Sequence, residues 1–138
     1  MRLVVFDKNN VPTLGLRDGE EIVDLSVAAP DLPSDLKGML QASAPAFERA
    51  KQAAASTARV DAGGVRFHPL MRNAPKIICL GLNYAAHAAE GGFEVPKFPT
   101  VFLRAGTSLV GHNEPIVRPL ASEQLDYEAE LALFIGKA

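Results

Sequence analysis

The chain has no tryptophan, two tyrosines and a single cysteine in 138 residues. One cysteine excludes an intrachain disulfide and a cluster of thiolates around a metal. Its neighbours Ile77, Ile78 and Leu80 are apolar, so Cys79 reads as a small buried hydrophobe. An excess of charge is also missing, with 14 Lys and Arg against 16 Asp and Glu and a formal net charge of −2. There is no basic stripe and no basic run interleaved with aromatic rings, which argues against nucleic acid as a partner. No apolar run is long enough to span a bilayer, and the first residues read as a strand, not a leader peptide. A cytoplasmic protein with no membrane partner is the resulting expectation.

What is present is a composition that can fold. Apolar residues make up 48% of the chain, enough for a core and too many for general disorder. The length suits one ordinary domain, or a small domain with part of another.

The run Arg2-Leu3-Val4-Val5-Phe6 reads as a strand, followed by a turn over 7–10 and a second strand over 11–17 despite Pro12. Asp18-Gly19 is a turn signal, and Glu21-Ile22-Val23-Asp24-Leu25 reads as a third strand. This pattern predicts an antiparallel meander that buries one face against another element. Ser34 or Asp35 can cap a short helix carrying Leu36, Met39 and Leu40. Pro45 can open a second helix through Phe47, Ala50 and Ala54, whose alanines suggest a peripheral position. Gly63-Gly64 breaks the pattern, Val65-Arg66-Phe67 reads as a short strand, and residues 68–75 read as a connector containing a domain boundary. His68 and His112 both read as loop residues.

Beyond the boundary the texture changes. Residues 76–80 form a compact apolar strand candidate, 83–90 can make about two helical turns, and 91–99 is a Gly- and Pro-containing loop that could serve as a lid. Residues 100–104 read as a strand and 109–117 as a turn plus strand. Residues 125–135 form the longest strand candidate.

Two groupings in this half carry chemistry. In the last strand candidate, side chains alternate faces. Tyr127, Ala129, Leu131, Leu133 and Ile135 share one face, and Asp126, Glu128 and Glu130 share the other. Neighbouring carboxylates repel one another and lose solvation when withdrawn from water. A hard divalent cation with a preference for oxygen ligands relieves both penalties. A solvated acidic end matched by Lys or Arg from a neighbour explains the same pattern. The second grouping is His87 and Glu90, which lie on neighbouring parts of one face if 87–90 is helical. The carboxylate can then orient the imidazole and raise its basicity for proton transfer. An ordinary surface His-Glu pair is the plainer alternative.

Taken together, Lys76-Ile77-Ile78-Cys79-Leu80-Gly81-Leu82-Asn83-Tyr84 with His87 and Glu90, Pro99-Thr100-Val101-Phe102-Leu103-Arg104, Ser108-Leu109-Val110-Gly111, Ile116-Val117-Arg118-Pro119 and the 126–137 segment resemble the fumarylacetoacetate hydrolase superfamily in order and separation. Residues 1–74 resemble, less specifically, the small amino-terminal domain of bacterial members. The resemblance implies an α+β protein: a small accessory α+β domain over 1–70, then the first part of a mixed-β catalytic domain over 75–138 that continues past Ala138. It implies that Glu128 and Glu130 bind Mg2+ or Mn2+, with Ca2+ as a further candidate, together with an acidic residue downstream. Asp126 is placed beside that pair, not in it. Asn83 stands in the segment where some members carry an extra aspartate, which favours the simpler three-carboxylate arrangement. Arg104 stands where relatives carry Lys or Arg and would hold a substrate oxygen.

The activity implied is metal-dependent hydrolysis of a carbon-carbon bond in a 1,3-diketo acid of acylpyruvate or fumarylpyruvate type, as in aromatic catabolism. His87, oriented by Glu90, would activate water, and a homodimer is expected. Hydration, dehydration or decarboxylation of a 2-oxo acid is the enzymatic alternative, and a non-catalytic interaction fragment the second.

Overall fold

The computed structural model describes residues 1–125, 127 and 130–136. It shows an α+β chain that divides into two compact units, Met1–Arg72 with Val110–Ala138, and Asn73–Leu109.

In the first unit, β1 (Leu3–Lys8), β2 (Val11–Asp18) and β3 (Glu21–Asp24) form the expected antiparallel meander. β3 leads directly into a single helical turn, α1 (Leu25–Ala28), capped by the Asp24 carboxylate, which accepts a hydrogen bond from the Ser26 N–H. α2 (Leu36–Gln52) comes next, with the Asp35 carboxylate capping its first turn through the Gly38 N–H. Ser43, with φ of 60°, breaks α2 into two pieces just before Pro45, as the two separate helix signals anticipate. β4 (Arg59–Asp61) then pairs with β3, and β5 (Phe67–His68) pairs with β1. The sheet order is β4-β3-β2-β1-β5.

Both faces of this sheet are covered, where the meander alone suggested one. Val5, Leu14, Leu16 and Val23 pack with Leu36, Met39, Ala46, Ala50 and Ala53 from the helical layer. On the opposite face Phe6 and Ile22 pack with Ala62, joined by Val60, Val65 and Phe67. The alanine-rich helix is therefore not peripheral. Small side chains at Ala46, Ala50 and Ala53 bring its backbone close to the sheet, so it contributes to the core by proximity, not bulk. Gly15 sits opposite Val4 in the ladder, and a Cβ there would overlap Ile22 and crowd the Phe6 ring. Its missing side chain is what lets those two large groups meet above the sheet.

The second unit is built on β6 (Ile77–Gly81), α3 (Ala85–Glu90) and β7 (Thr100–Arg104). β6 and β7 are antiparallel, with Ile77 opposite Arg104 and Gly81 opposite Thr100. α3 ends in a Schellman motif, in which the Phe93 N–H donates to the Ala88 carbonyl and the Gly92 N–H to the Ala89 carbonyl. Gly92 takes the left-handed conformation this motif requires, with φ of 71°. Gly91-Gly92 thus works as a helix stop, and only the residues after it form the loop.

Two expected strands do not appear among the described residues. Residues 109–117 form a turn and irregular chain, and the described residues of 125–135 carry no ladder. Leu131, Leu133 and Ile135, expected to face a core, are exposed. Alternation fixes which side chains share a face, whereas a strand also needs a neighbour for its N–H and C=O groups. No such neighbour pairs with the described residues of this segment.

Candidate active site

The candidate proton-transfer residues lie on α3, in the second unit. β6 delivers the chain to Leu82, which holds a left-handed φ of 54° and turns it sharply into Asn83 and Tyr84, the residue preceding the first helical turn. A non-glycine residue in that region is strained by roughly 1–2 kcal/mol. His87 and Glu90 then fall one turn apart on α3 as expected, both exposed, while Ala88 between them is fully buried. Solvent and small solutes can therefore reach the imidazole and carboxylate side of the helix. Arg104 ends β7 in the same unit, exposed and opposite Ile77 in the ladder. Cys79 is half-buried across from Phe102, not fully buried as its apolar neighbours suggested. The side chains flanking it in the hairpin, Ile78, Leu80, Phe102 and Leu103, are themselves exposed.

The expected metal ligands are in the other unit. Glu130 is exposed on irregular chain, while Glu128 and Asp126 lie outside the described residues. Among the described residues no group of three His, Cys, Asp or Glu side chains gathers in a way that could hold a metal ion. Glu130 itself, a solvent-accessible carboxylate, has donor chemistry that suits a hard divalent cation.

Two polar assemblies in the first unit were not anticipated. His68 closes β5 instead of lying in a loop, and its Nε2 is 3.2 Å from Asp7 Oδ2. The Asn10 backbone N–H and the His68 side chain hold the Asp7 carboxyl below its ordinary pKa. Beside them Arg66 donates from Nε and Nη2 to the two carboxylate oxygens of Glu114, at 2.7 and 3.0 Å. That fork keeps Glu114 below the usual carboxylate range. The glycine and asparagine around His112 signalled a turn, but nothing in the local sequence pairs residues 48 positions apart.

The fold has counterparts among known proteins. The profile described as Fumarylacetoacetate (FAA) hydrolase C-terminal matches residues 76–138. The chain matches the fumarylacetoacetate hydrolase superfamily. Similarity to individual relatives extends over residues 1–75 as well. The mitochondrial oxaloacetate tautomerase fahd2 of Xenopus laevis is 37% identical over 142 residues, covering 99% of this chain and 44% of that protein. The mitochondrial oxaloacetate tautomerase Fahd2a of Rattus norvegicus is 36% identical, covering 99% of this chain and 45% of its own length. A crystal structure described as an HpcE protein from Mycobacterium smegmatis superposes with a TM-score of 0.68 at 28% identity, covering 87% of this chain and 41% of that one. The chain thus spans less than half the length of these superfamily relatives. Their names also correct one expectation: relatives this similar are named mitochondrial, which overturns the expected cytoplasmic location. Among the described residues no helix is long and apolar enough to cross a membrane.

Proposed function

We propose that the intact protein is an enzyme that moves a proton between C3 and the carbonyl oxygen of a small 2-oxo dicarboxylic acid, interconverting its keto and enol forms. The observation that carries this reading is the similarity to proteins named oxaloacetate tautomerase across 99% of the chain. Acylpyruvate cleavage, the first expectation, has less support. The alternative expectation, hydration, dehydration or decarboxylation of a 2-oxo acid, is backed better by these relatives, whose names add tautomerisation to that list.

His87 is the proposed proton-transfer group. It takes a proton from the carbon beside the carbonyl and returns one to oxygen, so the substrate keeps its composition. Glu90, one turn along α3, would orient the ring and stabilise its protonated form. Arg104 would fork a substrate carboxylate, a planar pairing that Lys cannot reproduce. Glu128 and Glu130 would hold a hard divalent cation, which when bound supplies positive charge beside the substrate oxygens.

The test monitors loss of enol oxaloacetate absorbance with the intact protein and Mg2+, alongside pyruvate release from oxaloacetate and from an acylpyruvate. Enol loss faster than in buffer, without pyruvate, is the expected result. Pyruvate released from the acylpyruvate with no acceleration of oxaloacetate interconversion would restore hydrolysis as the better reading.

A further inference from the structure

We propose that residues 66 and 67 hold the 111–114 turn in a three-point clasp, and that this clasp positions the irregular chain that follows it over 115–125, ahead of the candidate ligand Glu130. The first point is the Arg66 fork onto Glu114. The second is the Phe67 ring, which meets the His112 ring edge to face with centroids 5.9 Å apart. The third is backbone contact, since a Cβ on Gly111 would overlap the Phe67 carbonyl oxygen. Only glycine permits that approach.

The turn is built to be held. The Glu114 N–H donates to the Gly111 carbonyl, closing the turn on itself. Asn113 takes a left-handed φ of 62°, which asparagine tolerates better than most residues. On the other side, Arg66 and Phe67 are fixed by the sheet. The Asp7 N–H donates to the Arg66 carbonyl, and Phe67 pairs with Phe6 in the ladder. A preformed turn therefore meets a preformed edge.

Among the described residues after Ser108, no helix or strand stabilises the chain through its own ladder. Its path is set by side-chain and backbone tethers such as these, which gives the clasp leverage over the described chain from Pro115 to Leu125. The domain expected to be accessory thereby becomes part of the machinery. The clasp itself stands on geometry alone, whereas its consequence for turnover rests on the function proposed above.

The test uses the intact protein with Arg66→Glu, the charge exchange Arg66→Glu with Glu114→Arg, and Gly111→Ala. Hydrogen exchange is read over 109–118 and, as a folding control, over β1 to β3. Arg66→Glu and Gly111→Ala should speed exchange in 109–118 by roughly threefold or more, with the sheet unchanged, and the charge exchange should restore protection. Mg2+ affinity and oxaloacetate turnover should fall in Arg66→Glu and recover in the charge exchange. Unchanged protection in Arg66→Glu, or no recovery in the exchanged pair, overturns the clasp. Exchange that responds while Mg2+ affinity and turnover stay at wild-type values overturns its positioning role. A wild-type protein that turns over no 2-oxo acid refutes the proposed function instead, and the exchange data still decide the clasp.

Discussion

Replacing Lys8 with methionine should destabilise the amino-terminal domain by about 2 kcal/mol, roughly a thirtyfold change in its folding equilibrium. The magnitude comes from where the charges sit. The Asp24 side chain is only 5% exposed, and Lys8 Nζ, 38% exposed, donates to its Oδ2 at 2.6 Å. Ser26 supplies the remaining donors, its N–H at 2.9 Å and its hydroxyl at 2.6 Å from Oδ1. Breaking a fully buried pair costs about 3–5 kcal/mol, an exposed one below about 1. A buried acid with a partly solvated base and two surviving hydrogen bonds falls between. Burial pushes the Asp24 carboxyl up, but hydrogen bonds from Lys8 and Ser26 and the Lys8 charge outweigh it, so its pKa lies below the ordinary value. A carboxylate with a depressed folded pKa stabilises the fold above its unfolded pKa and loses that contribution as pH falls through the folded one. The gap between wild type and Lys8→Met should therefore be full at neutral pH and close in acid. Urea titration of the intact protein, read by hydrogen exchange in β1 to β3, measures it at each pH. A gap under about 0.5 kcal/mol at pH 7, or one that does not narrow in acid, would refute the argument.

Further outcomes are expected from the core and the site. Met39→Ala empties a fully buried position between α2 and the sheet and should cost about 2–5 kcal/mol in the same titration. Gly15→Ala should cost about 1–3 kcal/mol, because its Cβ has to displace Ile22 and Phe6, and combining it with Ile22→Val should recover part of that loss. Under the proposed function His87→Ala should lower kcat by about a hundredfold or more while calorimetry shows Mg2+ affinity unchanged. Glu130→Ala should do the reverse, weakening Mg2+ binding first.

How much of this was legible in the sequence depended on whether the signal was local. The meander was, because Val5, Leu14, Leu16 and Val23 alternate onto one face while Phe6 and Ile22 take the other, and Gly19 supplies the left-handed turn residue between β2 and β3. The helix bearing His87 and Glu90 was legible too, between an apolar strand and a Gly-Gly stop. β4 was not. Arg59–Asp61 has no pattern of its own and exists because β3 offers an open edge and Asp18 and Glu21 receive the Arg59 guanidinium. The alanines of α2 misled because size was read as distance from the core. The 125–135 alternation misled in the opposite way, as it specifies two faces without supplying the neighbour that makes a strand. Arg66 and Glu114 were invisible because each looks like an ordinary surface charge until the fold brings it to the other.

The two ends of α3 show where the chain tolerates strain. At the carboxyl end the left-handed residue is Gly92, which adopts that conformation without a side-chain clash. At the amino end the same class of conformation falls on Leu82, where a glycine would be cheaper and Gly81, one position earlier, is committed to the ladder opposite Thr100. Helix formation alone does not call for this, since α3 carries no side-chain cap at Tyr84 that the turn would serve. What the turn does fix is the direction in which α3 leaves β6, and with it the bearing of His87 and Glu90. Strain kept at the entry to a helix and avoided at its exit is the pattern expected when the orientation of that helix matters more than its stability, and it is the entry that aims the proposed proton-transfer pair.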